Sequence, residues 1–226
     1  MQYTIEGGSL PVVLCRLEPG EAMISEAGGR TWARGEITTE TTSEGGAKKA
    51  LGRLFSGESL FMSKYAAKTR AEIGFASSFP GRILPVELGH GQSIICQKKA
   101  FLSGTYGVTL SVHFQNRLRT GLFGGEGFIM QKVTGPGIVF LEIDGHCQEY
   151  TLAAGERIVC DTGVVAVMEE TCTMDVQMVK GVKNVLFGGE GLIDTVVTGP
   201  GKVWLQTMTV AKLAGLLRPY LPSGNN

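Results

Sequence analysis

Apolar and polar side chains alternate with a two-residue period along much of this chain. Over residues 108–114, Val108, Leu110, Val112 and Phe114 fall on one side of an extended backbone, with Thr109, Ser111 and His113 on the other. That alternation predicts a strand with one covered face. Met174, Val176 and Met178 alternate with Asp175 and Gln177 in the same way. Three further runs follow Pro-Gly pairs: Arg82-Ile83-Leu84-Pro85-Val86, Ile138-Val139-Phe140-Leu141-Glu142 and Lys202-Val203-Trp204-Leu205-Gln206. Their β-branched and aromatic residues suit a pleated, well-covered surface. A helical period stands out only near the C-terminus. There Thr209 can cap the first turn, Val210, Leu213, Leu216 and Leu217 share one face, and Pro219 ends the run, giving an expected helix over 209–218. Its polar side holds only Lys212 and Arg218, so it either packs on the sheets or sits between subunits. The tract Thr38–Gly46 is polar and is expected to be a loop, followed by a helical turn at Ala47–Leu51.

The strands come in sets. Leu54-Phe55-Ser56-Gly57-Glu58-Ser59, Leu122-Phe123-Gly124-Gly125-Glu126-Gly127 and Leu186-Phe187-Gly188-Gly189-Glu190-Gly191 are variants of one motif. A Leu-x-x-Gly opening precedes each, at Leu17, Leu88 and Leu152, and a Pro-Gly pair follows each, at Pro80-Gly81, Pro136-Gly137 and Pro200-Gly201. A recurrence of this size normally marks a supersecondary unit that buries its apolar face only against its copies. The expected organisation is one all-β domain over 1–226, with three pseudo-repeats at approximately 17–87, 88–151 and 152–208 forming packed antiparallel sheets, and one C-terminal helix. The first copy is longer between Gly57 and Pro80. Alternation through Phe61, Ser63, Tyr65, Ile73 and Phe75 reads there as a hairpin projecting from the body with its tip near 66–70.

Composition narrows the chemistry. The 33 glycines recur at fixed places and punctuate strands instead of forming a low-complexity tract. With 43% hydrophobic residues in 226, a core can form without disulfides or metal. Twenty-one basic and 21 acidic side chains cancel, which removes the long-range field that gathers phosphate backbones. Lys64, Lys68 and Arg70, the densest basic cluster, are interleaved with Glu58 and Glu72 and read as a solvated face. Cys15, Cys96, Cys147, Cys160 and Cys172 are odd in number and lack a Cys-x-x-Cys pair, so neither a disulfide framework nor a zinc site is indicated. Cys96 and Cys160 sit at matching places and read as equivalent small core residues. No run approaches the length of an apolar membrane span, and the start, Met1-Gln2-Tyr3-Thr4-Ile5, has no leader pattern, so a cytoplasmic location is expected.

Glu58, Glu126 and Glu190 are the strongest candidate functional residues. Three equivalent carboxylates could converge on a cation, or each could cap the N–H groups of its own glycine turn, and triplicated turns need triplicated capping. The Gly-Gly-Glu-Gly segments lack the Lys-Ser/Thr of a phosphate loop. His90, His113 and His146 show no ligand spacing.

The ordered set Leu10-Pro11, Leu17-x-x-Gly20-Glu21, Gly57-Glu58-Ser59-Leu60-Phe61, Phe79-Pro80-Gly81, Gly125-Glu126-Gly127-Phe128, Gly135-Pro136-Gly137 and Gly189-Glu190-Gly191 through Gly199-Pro200-Gly201-Lys202-Val203-Trp204-Leu205-Gln206 resembles the mitochondrial-biogenesis family named for altered inheritance of mitochondria, over essentially the whole chain. The resemblance implies an all-β fold akin to that of the tryptophan RNA-binding attenuation protein (TRAP-like), pseudo-threefold repeats and homo-oligomers. It implies no established enzymatic activity, hence no catalytic, cofactor-binding or metal-ligating residues to carry over. Eukaryotic relatives act in mitochondrial inner-membrane organisation; a chain without a presequence better matches the prokaryotic members, conserved proteins of unknown function. Gly29-Arg30-Thr31-Trp32-Ala33-Arg34 departs from the family, whose members tend to carry a more apolar, Met-containing stretch there. The expected function is a non-enzymatic scaffold or binding module, homo-oligomeric, with a protein partner not identified, no nucleic-acid partner and no integral membrane segment. The alternative is a small-molecule- or metal-dependent enzyme with a pocket between repeats.

Overall fold

The computed structural model describes residues 1–43, 61–116, 128–178 and 193–221. Among them are nineteen strands and one α-helix, so the chain is all-β with a C-terminal helix. Every sheet pairing between named strands is antiparallel, and four sheets result. The first orders β1 (Gln2–Glu6), β2 (Val12–Leu17), β7 (Ala71–Ala76) and β4 (Trp32–Arg34). A second has the order β5 (Ile37–Ser43), β6 (Phe61–Ala67), β3 (Ala22–Glu26), β10 (Phe101–Thr105), β13 (Gly137–Asp144), β8 (Gly81–Leu88). The third has β11 (Thr109–Asn116), β12 (Phe128–Thr134), β9 (Ser93–Gln97), β16 (Val165–Glu169), β19 (Gly201–Gln206), β14 (Cys147–Leu152). The last has β15 (Arg157–Asp161), β18 (Ile193–Thr198) and β17 (Thr173–Met178).

The third sheet repeats the order of the second with every strand advanced by six. A further step of six yields β17-β18-β15 at one end of the chain and β4-β7-β2 at the other, which are the fourth sheet and the main part of the first. Registers agree with the step. Leu17, Leu88 and Leu152 end β2, β8 and β14 opposite Ala71, Gly137 and Gly201. Ser25, Cys96 and Cys160 face Ser63, Gln131 and Thr195. Register shifts recur too, after Phe101 in β10 and after Val165 in β16.

Each of three apolar clusters belongs mainly to one stretch of chain. The first gathers Val13, Cys15, Leu17, Met23, Tyr65, Ile73 and Phe75, and Phe140 enters it from β13. The second gathers Leu88, Ile94, Cys96, Phe101, Leu110, Val133, Val139 and Leu141, with Trp204 entering from β19. The third holds Leu152, Val165, Met168, Cys172, Val197 and Val203. Strands β8, β10 and β13 therefore carry apolar residues on both faces, since Leu141 and Ile143 point into one cluster and Ile83, Leu102 and Phe140 into its neighbour. Burying each such side chain contributes about 1.5–3 kcal/mol before entropy costs.

Three expectations require correction. Residues 38–43 are not a loop: they lie in β5, an edge strand whose threonines are β-branched, with Thr41 Oγ1 3.2 Å from Ser63 Oγ and Thr38 Oγ1 donating to the Ala66 carbonyl. Ala47–Leu51 lies outside the described residues. The first-copy strands do not form a projecting hairpin. β6 pairs with β3 and β5, β7 pairs with β2 and β4, and Tyr65, Ile73 and Phe75 are core residues of the sandwich between two sheets. Nor are the Pro-Gly pairs equivalent. Gly137 and Gly201 open β13 and β19 with φ of 147° and 139°, and a Cβ there would meet a threonine Oγ1 at 2.3 and 2.5 Å. Gly81 opens β8, the strand beside β13, where a Cβ would lie 2.0 Å from the Ile143 carbonyl oxygen.

Candidate functional site

A partly enclosed polar cleft lies where β9 runs into a single 3₁₀ turn (Lys98–Ala100) and meets β13, β19 and the start of α1 (Val210–Leu217). It has a volume of about 90 Å³. Gln97 Nε2 donates to the carbonyls of Gly163 (2.8 Å) and Val165 (2.6 Å). Gln206 Nε2 donates to the same Gly163 carbonyl at 2.7 Å and to Gln97 Oε1 at 3.3 Å, while its Oε1 accepts from Asp144 N–H at 3.1 Å. Glu142 Oε1 accepts from Ser78 N–H (2.9 Å), Ser78 Oγ (2.7 Å) and Phe79 N–H (3.0 Å), which ties the β7–β8 connection to β13. These groups are thus committed to backbone, as burial of polar atoms requires.

Asp144 differs. Its carboxyl is pushed up to about 6, first by burial and then by the charge of Glu142, against the opposing pull of Lys99 and of the Val210 N–H that it accepts. That bond, together with Met208 N–H to the Asp144 carbonyl at 3.3 Å, fastens the first turn of α1 to the end of β13. The helix is capped as its sequence predicts, with Lys212 N–H donating to Thr209 Oγ1 at 3.1 Å. None of its residues is buried.

A larger and more open groove of about 650 Å³ lies along the ends of β2, β4 and β7. Its charges are largely paired: Arg16 Nε with Glu72 at 3.2 Å, Arg70 Nε with Glu18 at 2.9 Å, and the Met1 ammonium with Glu21, whose carboxyl that ammonium holds low. Exposed pairs of this kind are worth little each, and mixed charge does not build an anion site.

The residues singled out by sequence are dispersed. Glu58, Glu126 and Glu190 lie outside the described residues. His90, His113 and His146 are exposed in the β8–β9 turn, in β11 and in the β13–β14 turn. Among the described residues no three His, Cys, Asp or Glu side chains gather as metal ligands. All five thiols are free, and burial pushes Cys15 and Cys96 up to about 12 and Cys160 up to about 11, far from the thiolate range that nucleophiles use. Cys96 and Cys160 hold matching places, but Cys96 is fully buried and Cys160 only partly. Sequence reasoning missed Gln97, Glu142, Asp144 and Gln206. The available signal was the polar residue closing each matched apolar run, Glu142 after Ile138–Leu141 and Gln206 after Lys202–Leu205.

The family model Mitochondrial biogenesis AIM24 matches residues 3–208, nearly the whole β-sheet body. The chain belongs to that family. An uncharacterized protein of Streptococcus pyogenes serotype M6 is 29% identical over 235 residues, covering 100% of this chain and 93% of that one. The crystal structure of another Streptococcus pyogenes protein superposes with a TM-score of 0.80 at 24% identity, covering 97% of this chain and 99% of that one. At that identity the likeness establishes the fold alone. No described helix of this AIM24 chain is long and apolar enough to cross a membrane.

Proposed function

We propose that this AIM24-family chain is a non-enzymatic scaffold: a cytoplasmic, triplicated β-sandwich body of the TRAP-like kind that works as a homo-oligomer and binds through assembled surfaces. One observation carries the reading. Helix α1 is capped and fastened at its first turn, yet its apolar side is uncovered, with Val210 48%, Leu216 57% and Leu217 47% exposed and Tyr220 and Leu221 beyond it at 86% and 63%. A helix held in place while its apolar residues face water suits an interface between copies. Light scattering should give a wild-type mass above that of one chain, and deletion of residues 209–226 should lower it while the β-sheet circular dichroism persists. A wild-type monomer at micromolar concentration overturns the reading.

The enzymatic alternative draws on Asp144, whose raised pKa and position beside Lys99 would suit proton transfer. Against it stands size, since a cleft of about 90 Å³ is well below the roughly 300–1,000 Å³ of ordinary small-molecule sites. A melting screen with metals and metabolites tests it: stabilisation by one of them that Asp144→Asn abolishes would favour the enzyme.

A further inference from the structure

The six-strand step leaves one joint unmade. β10 pairs with β3, and β16 pairs with β9, so that each unit after the first lays a strand along the edge of the unit before it. The third joint of that type would place β4 along β15, but these two strands end their sheets, β4 bonded to β7 and β15 to β18.

Burial follows the joint. In β3 and in β9 the middle three residues are buried: Met23, Ile24 and Ser25, and Ile94, Ile95 and Cys96. The corresponding Ile158, Val159 and Cys160 of β15 are just as apolar, yet none is buried, and Val159 is 59% exposed. All three residues of β4 are exposed.

An aromatic ring tells the same story. Phe140 and Trp204 reach from the joint into the apolar cluster of the preceding unit, where they are 0% and 8% exposed. Their register equivalent on β7 is Gly74. The ring at that place comes instead from β4, because Trp32 faces Gly74 so closely that a Cβ there would lie 2.4 Å from Trp32 Cε2. Trp32 is nonetheless 44% exposed, and the third apolar cluster, with Ile158 and Cys160 at its margin, receives no ring from a following unit.

We infer that β4 of one copy pairs antiparallel with β15 of a second copy, inserting Trp32 over Cys160 at the open side of the third cluster. The joined sheet would run β17-β18-β15, then β4-β7-β2-β1 of the second chain, matching the six-strand order of the two complete sheets with β1 added. Register follows from β16 on β9, where Val167, Met168 and Glu169 face Cys96, Ile95 and Ile94. Carried through the step, Trp32 faces Cys160, Ala33 faces Val159, and Arg34 faces Ile158. The two edges differ, so the contact is head-to-tail and propagates until a ring closes or a filament forms. It also covers two bare strand edges, which soluble proteins otherwise shield.

The inference rests on the homo-oligomer reading, and one experiment separates their failures. Facing residues in a paired antiparallel ladder lie within disulfide reach, with Cα atoms about 4.5–5.5 Å apart. Full-length Ala33→Cys/Val159→Cys, with each single variant as control, is oxidised under mild conditions and run without reductant beside a light-scattering mass for the unoxidised protein. Expected is a ladder beginning at twice the chain mass for the double variant, a dimer when the two single variants are mixed, and neither product from one single variant alone. A cross-link confined to one chain overturns the inference, because the chain then closes on itself. An assembled protein without the cross-link overturns the inference and leaves the oligomer reading standing. A monomer without it defeats both. Both sites are exposed strand edges in the single chain, so the substitutions leave the apolar clusters intact.

Discussion

Replacing Asp144 by Asn removes a charge while keeping an acceptor for the Val210 N–H. The Asp144 carboxyl titrates near 3.8 when unhindered and is pushed up to about 6 here by burial and Glu142. Two pKa units correspond to roughly 3 kcal/mol. The side chain is only partly buried, so solvent screening reduces that to about 1 kcal/mol. The sign follows from proton linkage. Below about pH 4 both folded and unfolded chains hold the proton, and the two proteins should be nearly equal in stability. Between about pH 4 and 6 the unfolded wild type releases a proton that the folded form keeps, so wild-type stability falls as pH rises through that window. Above it the loss is complete, and Asp144→Asn should be the more stable protein by about 1 kcal/mol. Urea unfolding of both proteins from pH 4 to 8 reads this as a midpoint difference that opens between pH 4 and 6 and is then constant. A variant less stable than wild type at pH 7, or a difference independent of pH, would refute the reasoning, because Lys99 and the helix N–H would then outweigh burial and Glu142.

Three other outcomes follow from the same geometry. Glu142→Ala should cost about 2–3 kcal/mol in urea unfolding because it strands the donors of Ser78 and Phe79, whereas Glu142→Gln, which retains an acceptor, should cost about 1 kcal/mol. In a Trp204→Phe background Trp32 is the remaining tryptophan of the two, and its emission should shift to the blue as protein concentration rises; an emission fixed across concentrations in an assembling protein would count against its insertion. Gly74→Ala should weaken assembly several-fold by pushing the Trp32 ring off β7, read as a lower light-scattering mass at equal concentration with unchanged circular dichroism.

The alternating runs at 108–114 and 174–178 fall on β11 and β17, because a two-residue period follows the pleat, although the covered face breaks at Val112, which is exposed where the register shifts before Phe114. Thr209 as cap and the apolar stripe after it were legible for the same reason at helical period. The threonine tract of β5 was not: it is an edge strand whose Thr39 and Thr41 stand opposite the buried Tyr65 and Ser63, so it contacts the core side with polar residues and has little apolar pattern to show. The alternation of Tyr65, Ile73 and Phe75 gives the face of each strand and not its neighbour, so a hairpin fits the pattern equally well, whereas β6 and β7 belong to different sheets. Pro80-Gly81 imitates Pro136-Gly137 in sequence while serving another strand, and only pairing tells them apart. The cleft joins Gln97, the Glu142–Asp144 end of β13 and Gln206, so the polar residues closing the matched apolar runs mark its members while only the long-range pairing shows that they meet.

The central claim, that β4 and β15 are the two halves of a joint between copies, is most directly tested by amide hydrogen exchange of the peptides spanning 31–35 and 156–162 as a function of protein concentration. The amides of both peptides that point away from β7 and β18 should exchange rapidly in dilute protein and become protected together as assembly proceeds, while β9 and β16, paired on both sides within the chain, stay unchanged. Rapid exchange in both peptides from a fully assembled protein, or equal protection of both in the monomer, would contradict it.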